Sequence, residues 1–164
     1  MSARNYLIIV REDLRSARVQ FKSFVGIIYY FTDFGFFNLQ LYRASSCLRD
    51  SFLKYLLIHI LIERIQSFFF GVHIPPSVEI GGGALIFHGY GIVLNSKVVI
   101  GDRVVLYHRV TIGQRYPGDG VPIIGDDVVI GSGATILGPV EVPCGAVVPA
   151  NSLTTPCQNS WRIL

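Results

Sequence analysis

The chain has 164 residues, enough for one ordinary domain, or for one domain with a small appendage. Apolar residues make up 51% and charged residues 15%, yet no stretch reaches the roughly 18 uninterrupted apolar residues that a spanning helix needs. A net charge of +3 without a run of Lys or Arg argues against a nucleic-acid partner.

Met1 to Arg11 lack the apolar run of a signal peptide, so a cytoplasmic protein is expected. Cys47, Cys144 and Cys157 are irregularly spaced and suggest neither a disulfide framework nor a zinc site. The segment Glu12–Arg18 reads as a helix with charges close to its start. A break follows at Thr32-Asp33-Phe34-Gly35. A second helix is predicted from about Phe37 to Leu48 and a third from about Ser51 to Phe69. The third is apolar nearly all round between Tyr55 and Ile62, the pattern of a helix buried on more than one side, in a core or an oligomer contact. The aromatic N-terminal part is also a candidate for peripheral contact with the inner face of a membrane.

Near residue 72 the period changes to six. Aliphatic residues stand at Ile74, Ile80, Ile86, Leu94, Ile100, Leu106, Ile112, Ile124, Ile130, Ile136, Val142 and Val148. Four residues after most of them comes a small or β-branched residue, from Val78 and Ala84 to Ala146 and Ser152. A period of six fits neither a helix nor an alternating strand. It is the signature of a β-solenoid of the hexapeptide class, with aliphatic residues pointing into a narrow triangular core. Twelve such positions at three per coil predict about four coils. Residues 1–72 are therefore read as a helical region and 73–164 as the solenoid domain.

The repeat loses its phase twice. The first interruption, between Ile86 and Leu94, holds Phe87-His88-Gly89-Tyr90-Gly91. The second, between Ile112 and Ile124, holds a projecting loop from Gln114 to Pro122. Loops on a rigid scaffold are where binding and catalysis concentrate.

These segments carry a resemblance. FHGYGIVLN at Phe87–Asn95, then Val110-Thr111-Ile112-Gly113, then Ile130-Gly131-Ser132-Gly133-Ala134-Thr135-Ile136-Leu137-Gly138 resemble serine acetyltransferases in order and spacing. Upstream, Leu39-Gln40-Leu41-Tyr42-Arg43 and Glu12-Asp13-Leu14 are similar to the end of that family's helical domain. The short N-terminal part is closer in length to acetyltransferases of surface polysaccharides. The resemblance implies a left-handed parallel β-helix, acetyl-CoA as co-substrate, and a homotrimer or dimer of trimers with the coenzyme groove between chains.

The resemblance also implies residue roles. His88 matches the catalytic histidine, since an imidazole can take the proton of a hydroxyl nucleophile and return it to the leaving thiolate. The family's orienting carboxylate falls at His73, which alters the dyad, and Asp13 is a candidate acceptor-binding or orienting group. Gly113, Ser132 and Ala150 match the pantetheine groove, and Arg115 is a candidate for the coenzyme phosphates.

Around the acceptor, the family's aspartate before the histidine is Phe87 here, and its Arg-His pair is Gly120 and Val121. The lost charges point away from serine and toward an uncharged hydroxyl acceptor, such as a sugar of a surface polysaccharide or its precursor. Phe87 or Tyr90 could stack on its face, and His108 is a further neighbour. Serine O-acetylation is the alternative, and a non-catalytic scaffold is another. A zinc carbonic anhydrase would need three converging histidines, and the only solenoid candidates are His73, His88 and His108. No metal is expected.

Overall fold

The computed structural model describes residues 3–21, 23–47, 52–157 and 162–163. Leu48 and Ser51, expected helix ends, lie outside the described residues, as do the side chains of residues 52–59. Four helices come first: α1 (Ala3–Gln20), α2 (Phe24–Thr32), α3 (Phe34–Cys47) and α4 (Phe52–Phe70). The sequence reading did not separate α2. Ser23 sits in extended backbone and its hydroxyl accepts the Gly26 N–H, starting the helix. Asp33, also extended, ends it. In a single chain α4 is less covered than its composition predicts. Ile60, Leu61, Ile65, Phe68 and Phe69 are exposed.

The rest is a parallel β-helix. Its first coil is β1 (Glu79–Ile80), β2 (Leu85–Ile86) and β3 (Val93–Leu94). The second is β4 (Val99–Ile100), β5 (Val105–Leu106) and β6 (Thr111–Gly113). The third is β7 (Ile123–Ile124), β8 (Val129–Ile130) and β9 (Thr135–Leu137). The fourth is β10 (Glu141–Val142), β11 (Ala146–Val148) and β12 (Leu153–Thr154). Corresponding strands stack into three parallel sheets, and a final strand, β13 (Arg162–Ile163), pairs antiparallel with β11.

The six-residue period has a direct structural cause. The register stacks Ile80, Ile100, Ile124 and Val142 in one column. Ile86, Leu106, Ile130 and Val148 form a second, and Leu94, Ile112, Ile136 and Thr154 a third. All twelve predicted aliphatic positions are buried. Thr154 is a thirteenth, whose β-branched side chain keeps the register while its hydroxyl hides the pattern. Where extra residues enter, two before Leu94 and six before Ile124, the phase restarts through Ile92 and Pro122, which take the buried corner positions ahead of them. Ile130 is fully buried between Leu106 and Val148. Ile130→Ala should therefore cost about 2–5 kcal/mol, read as a lower denaturant midpoint at unchanged slope.

Many of the corners place a residue of positive φ just before the small buried position, although those at Val78, Val98 and Val140 do without one. Arg103, Arg109, Asp127 and Asn151 adopt it as side-chain-bearing residues, alongside Gly83, Gly133 and Gly145. Helix α3 closes the first coil: Leu39 and Tyr42 join the solenoid core, and the Tyr42 hydroxyl donates to the Val78 carbonyl at 2.7 Å.

Candidate active site

His88 breaks the corner pattern. Its φ is 54°, but it does not precede a buried corner residue. It sits in the two-residue insertion between β2 and β3. A histidine held in the left-handed region needs outside support, and that support comes from the break between α2 and α3. The Asp33 carboxylate accepts the His88 backbone N–H at 3.0 Å through Oδ1. Its Oδ2 lies 3.1 Å from His88 Nδ1. The same Oδ1 accepts the Gly35 N–H at 2.6 Å. Asp33 is largely buried (8% exposed), whereas His88 is half exposed (50%).

Two glycines make this docking possible. Gly35 and Gly89 meet backbone to backbone, and a Cβ on Gly35 would also collide with the Ile86 carbonyl. The buried Asn38 amide donates to the carbonyls of Phe34 and Gly89, and Gln66 donates in turn to the Asn38 carbonyl and side chain. The insertion is thereby tied to α3 and α4. Gly35→Ala should push α3 off β2 and lower both the melting temperature and any activity dependent on His88. Full retention of both would show the contact to be slack.

A cavity of about 230 Å³ opens beside the histidine, lined by Thr32, Asp33, Phe34, His88 and Tyr90. The Phe34 and Tyr90 rings stand 5.4 Å apart, edge to face. Tyr90 therefore lines the cavity. Phe87 does not: its ring stacks on Tyr107 and packs with Phe21 and Tyr30. The His108 ring stands 6.1 Å from that of His88, and its Nδ1 is buried with no hydrogen-bond partner.

Two other expected partners lie apart from His88. Asp13 is buried and bound to Arg43 at 3.2 Å, so its carboxylate is committed to that guanidinium. Burial pushes its pKa up to about 6, opposed by Arg43 and by bonds from the Gly83 and Ala84 backbone. His73 pairs through Nδ1 with Glu63 at 2.9 Å. The residue that faces His88 is Asp33, which sequence reasoning passed over. Its signal was an Asx turn: Asp at a helix break with its side chain on the N–H two residues on.

Ser132 and Ala150 lie at the same prism edge as His88, two and three coils further along, with His108 on the coil between. The Asn151 N–H donates to the Ser132 carbonyl, the Gly133 N–H to His108, and the Arg109 N–H to Tyr90. Gly113 stands elsewhere, at the C-terminal end of β6, in a cleft of about 380 Å³ that includes His73, Asn95, Gln114 and Leu137. Arg115 is exposed on the projecting loop, with its guanidinium over the Tyr116 ring. Among the described residues no group of three His, Cys, Asp or Glu could hold a metal.

No protein-family model matches the chain. Serine acetyltransferase from Helicobacter pylori is 33% identical over 121 residues, covering 73% of this chain and 70% of that protein. The chain belongs to the serine acetyltransferase family. A soybean serine acetyltransferase solved with serine aligns at 33% identity over 97% of this chain and 69% of its own, with a TM-score of 0.78. A serine acetyltransferase solved with CoA aligns at 26% identity over 92% of this chain and 63% of its own, with a TM-score of 0.73. The chain spans 34% and 37% of the length of two curated plant serine acetyltransferases.

Proposed function

We propose that the protein is an acetyl-CoA-dependent O-acetyltransferase that uses His88 as general base and Asp33 as its orienting carboxylate. The observation that carries this reading is the Asp33–His88 pair at the mouth of a cavity, on the family's scaffold. The Nδ1 contact with Asp33 favours a proton on Nδ1, which leaves the Nε2 lone pair for substrate. Nε2 takes the proton of the acceptor hydroxyl as its oxygen attacks the thioester carbonyl, then returns it to the departing thiolate. Acetyl-CoA supplies the activated acyl group. Asp33 stabilises the imidazolium formed between those two transfers.

Family membership favours serine as acceptor, and the relatives named above give no support to a polysaccharide substrate. A specific observation keeps an uncharged acceptor as the second reading. No lysine or arginine lines the cavity, and Phe34 and Tyr90 form an aromatic wall there. Gly120 and Val121 likewise supply no charge for a carboxylate. Thiol release from acetyl-CoA should be saturable with free L-serine. Release with neutral sugars but none with serine would transfer the assignment to the second reading, and none with any hydroxyl acceptor would remove both.

A homotrimer is part of the same proposal. His88 precedes the N-terminal ends of the β3, β6, β9 and β12 strands, whereas Gly113 ends β6. A closed ring of like contacts would bring the His88 edge of one subunit to the Gly113 end of the next.

A further inference from the structure

The outer surface of α1 and α2 carries three exposed arginines that form no ion pair among the described residues. Arg11, Arg15 and Arg18 follow the spacing that places side chains on one helix face. They rim a cleft of about 350 Å³ whose other walls are Leu14, Ile27 and Phe31. All three arginines are exposed, and no ion pair joins any of them to a carboxylate among the described residues. Of the acids on the same helix, one is paired and the other lies in a neighbouring cleft that Arg15 also lines. Asp13 is bound to Arg43, and the Glu12 carboxylate lies against Gly82.

The imbalance extends to the whole helical region. Residues 1–72 hold nine Lys and Arg against five Asp and Glu, while the solenoid holds five against six. Exposed apolar side chains accompany the cleft: Leu7 and Ile8 on α1, and Ile28 and Phe31 on α2. Three residues beyond Phe31 stands Phe34, half exposed, whose ring meets Phe70 and Tyr90. The combination of unpaired arginines with apolar side chains suits an interface between water and lipid.

We propose that the arginine-lined cleft of α1 and α2 docks on an anionic lipid bilayer, the arginines on the headgroups and the neighbouring apolar side chains among the acyl chains. A second copy of the chain fits less well. A two-fold contact through this face would set the three arginines of one copy against those of the other, and like charges so placed repel. No described helix is long and apolar enough to cross a membrane, so the contact is with the surface. The inference stands whatever the acyl acceptor is.

The full chain should co-sediment with phosphatidylglycerol vesicles, release them as salt rises, and ignore phosphatidylcholine vesicles. The triple variant R11Q/R15Q/R18Q should bind the anionic vesicles roughly a hundredfold more weakly, at about 1 kcal/mol for each basic residue near a charged surface. It should keep its sedimentation coefficient and its thiol release from acetyl-CoA. Equal binding to both vesicle types, or unchanged binding by the variant, would overturn the proposal. So would a fall in the variant's oligomeric mass, which would assign the face to a second copy.

Discussion

His88→Ala is expected to lower turnover by about 10²- to 10⁴-fold, the usual contribution of a positioned general base. Its thermal midpoint should hardly move. The side chain is half exposed and contributes nothing to the solenoid core. The backbone at that point stays tied by Asn38 to the Gly89 carbonyl and by Asp33 to the amide of residue 88. Asp33→Asn separates orientation from mere presence. An amide can turn its NH₂ toward the ring, where it favours the tautomer with the proton on Nε2 and the wrong nitrogen free. The expected result is a large loss in kcat with KM for acetyl-CoA little changed, and a displaced pH–rate profile. Wild-type turnover in His88→Ala would leave the fold without the proposed chemistry.

The second large effect concerns stability. Asp13 and Arg43 are both almost fully buried, and Arg43 also donates to the carbonyls of Ile80 and Gly81. Asp13→Ala leaves a guanidinium inside the protein without a counter-charge, and losing one partner of a buried pair costs about 3–5 kcal/mol. Chemical denaturation should show the loss directly, and a change below about 1 kcal/mol would mean that water reaches Arg43. The pair also has a pH signature. Because burial raises the Asp13 pKa from 3.8 to about 6, the folded state binds this proton more readily than the unfolded state. The associated stabilisation is full below pH 3.8 and is lost as pH rises through about 6. In Asp13→Asn this component of the pH dependence should vanish.

The solenoid was legible because each of its coils obeys the same local rule. Ile80 or Ile130 needs only its neighbour one coil away, so a single period records the contact. His88 was legible for the opposite reason: it falls where that rule fails. Asp33 was not, since it meets His88 across 55 positions of sequence and only after α3 has docked through two glycines. The pairing of Asp13 with Arg43 was hidden in the same way, because periodicity says nothing about which of several buried-face charges will face each other. Phe87 was assigned to the acceptor through its place beside His88. Adjacent residues in extended chain point to opposite sides, and Phe87 turned to the aromatic cluster under α1 and α2.

The closing strand β13 has one more implication. A stack of parallel coils ends in a row of unsatisfied N–H and C=O groups, and such a row can template the addition of another chain without limit. By reversing direction against Ala146 and Val147, β13 occupies that row on one of the three sheets. A chain shortened before Arg162 would offer this growing point to its neighbours, and self-association through that sheet is the hazard that the antiparallel return lessens.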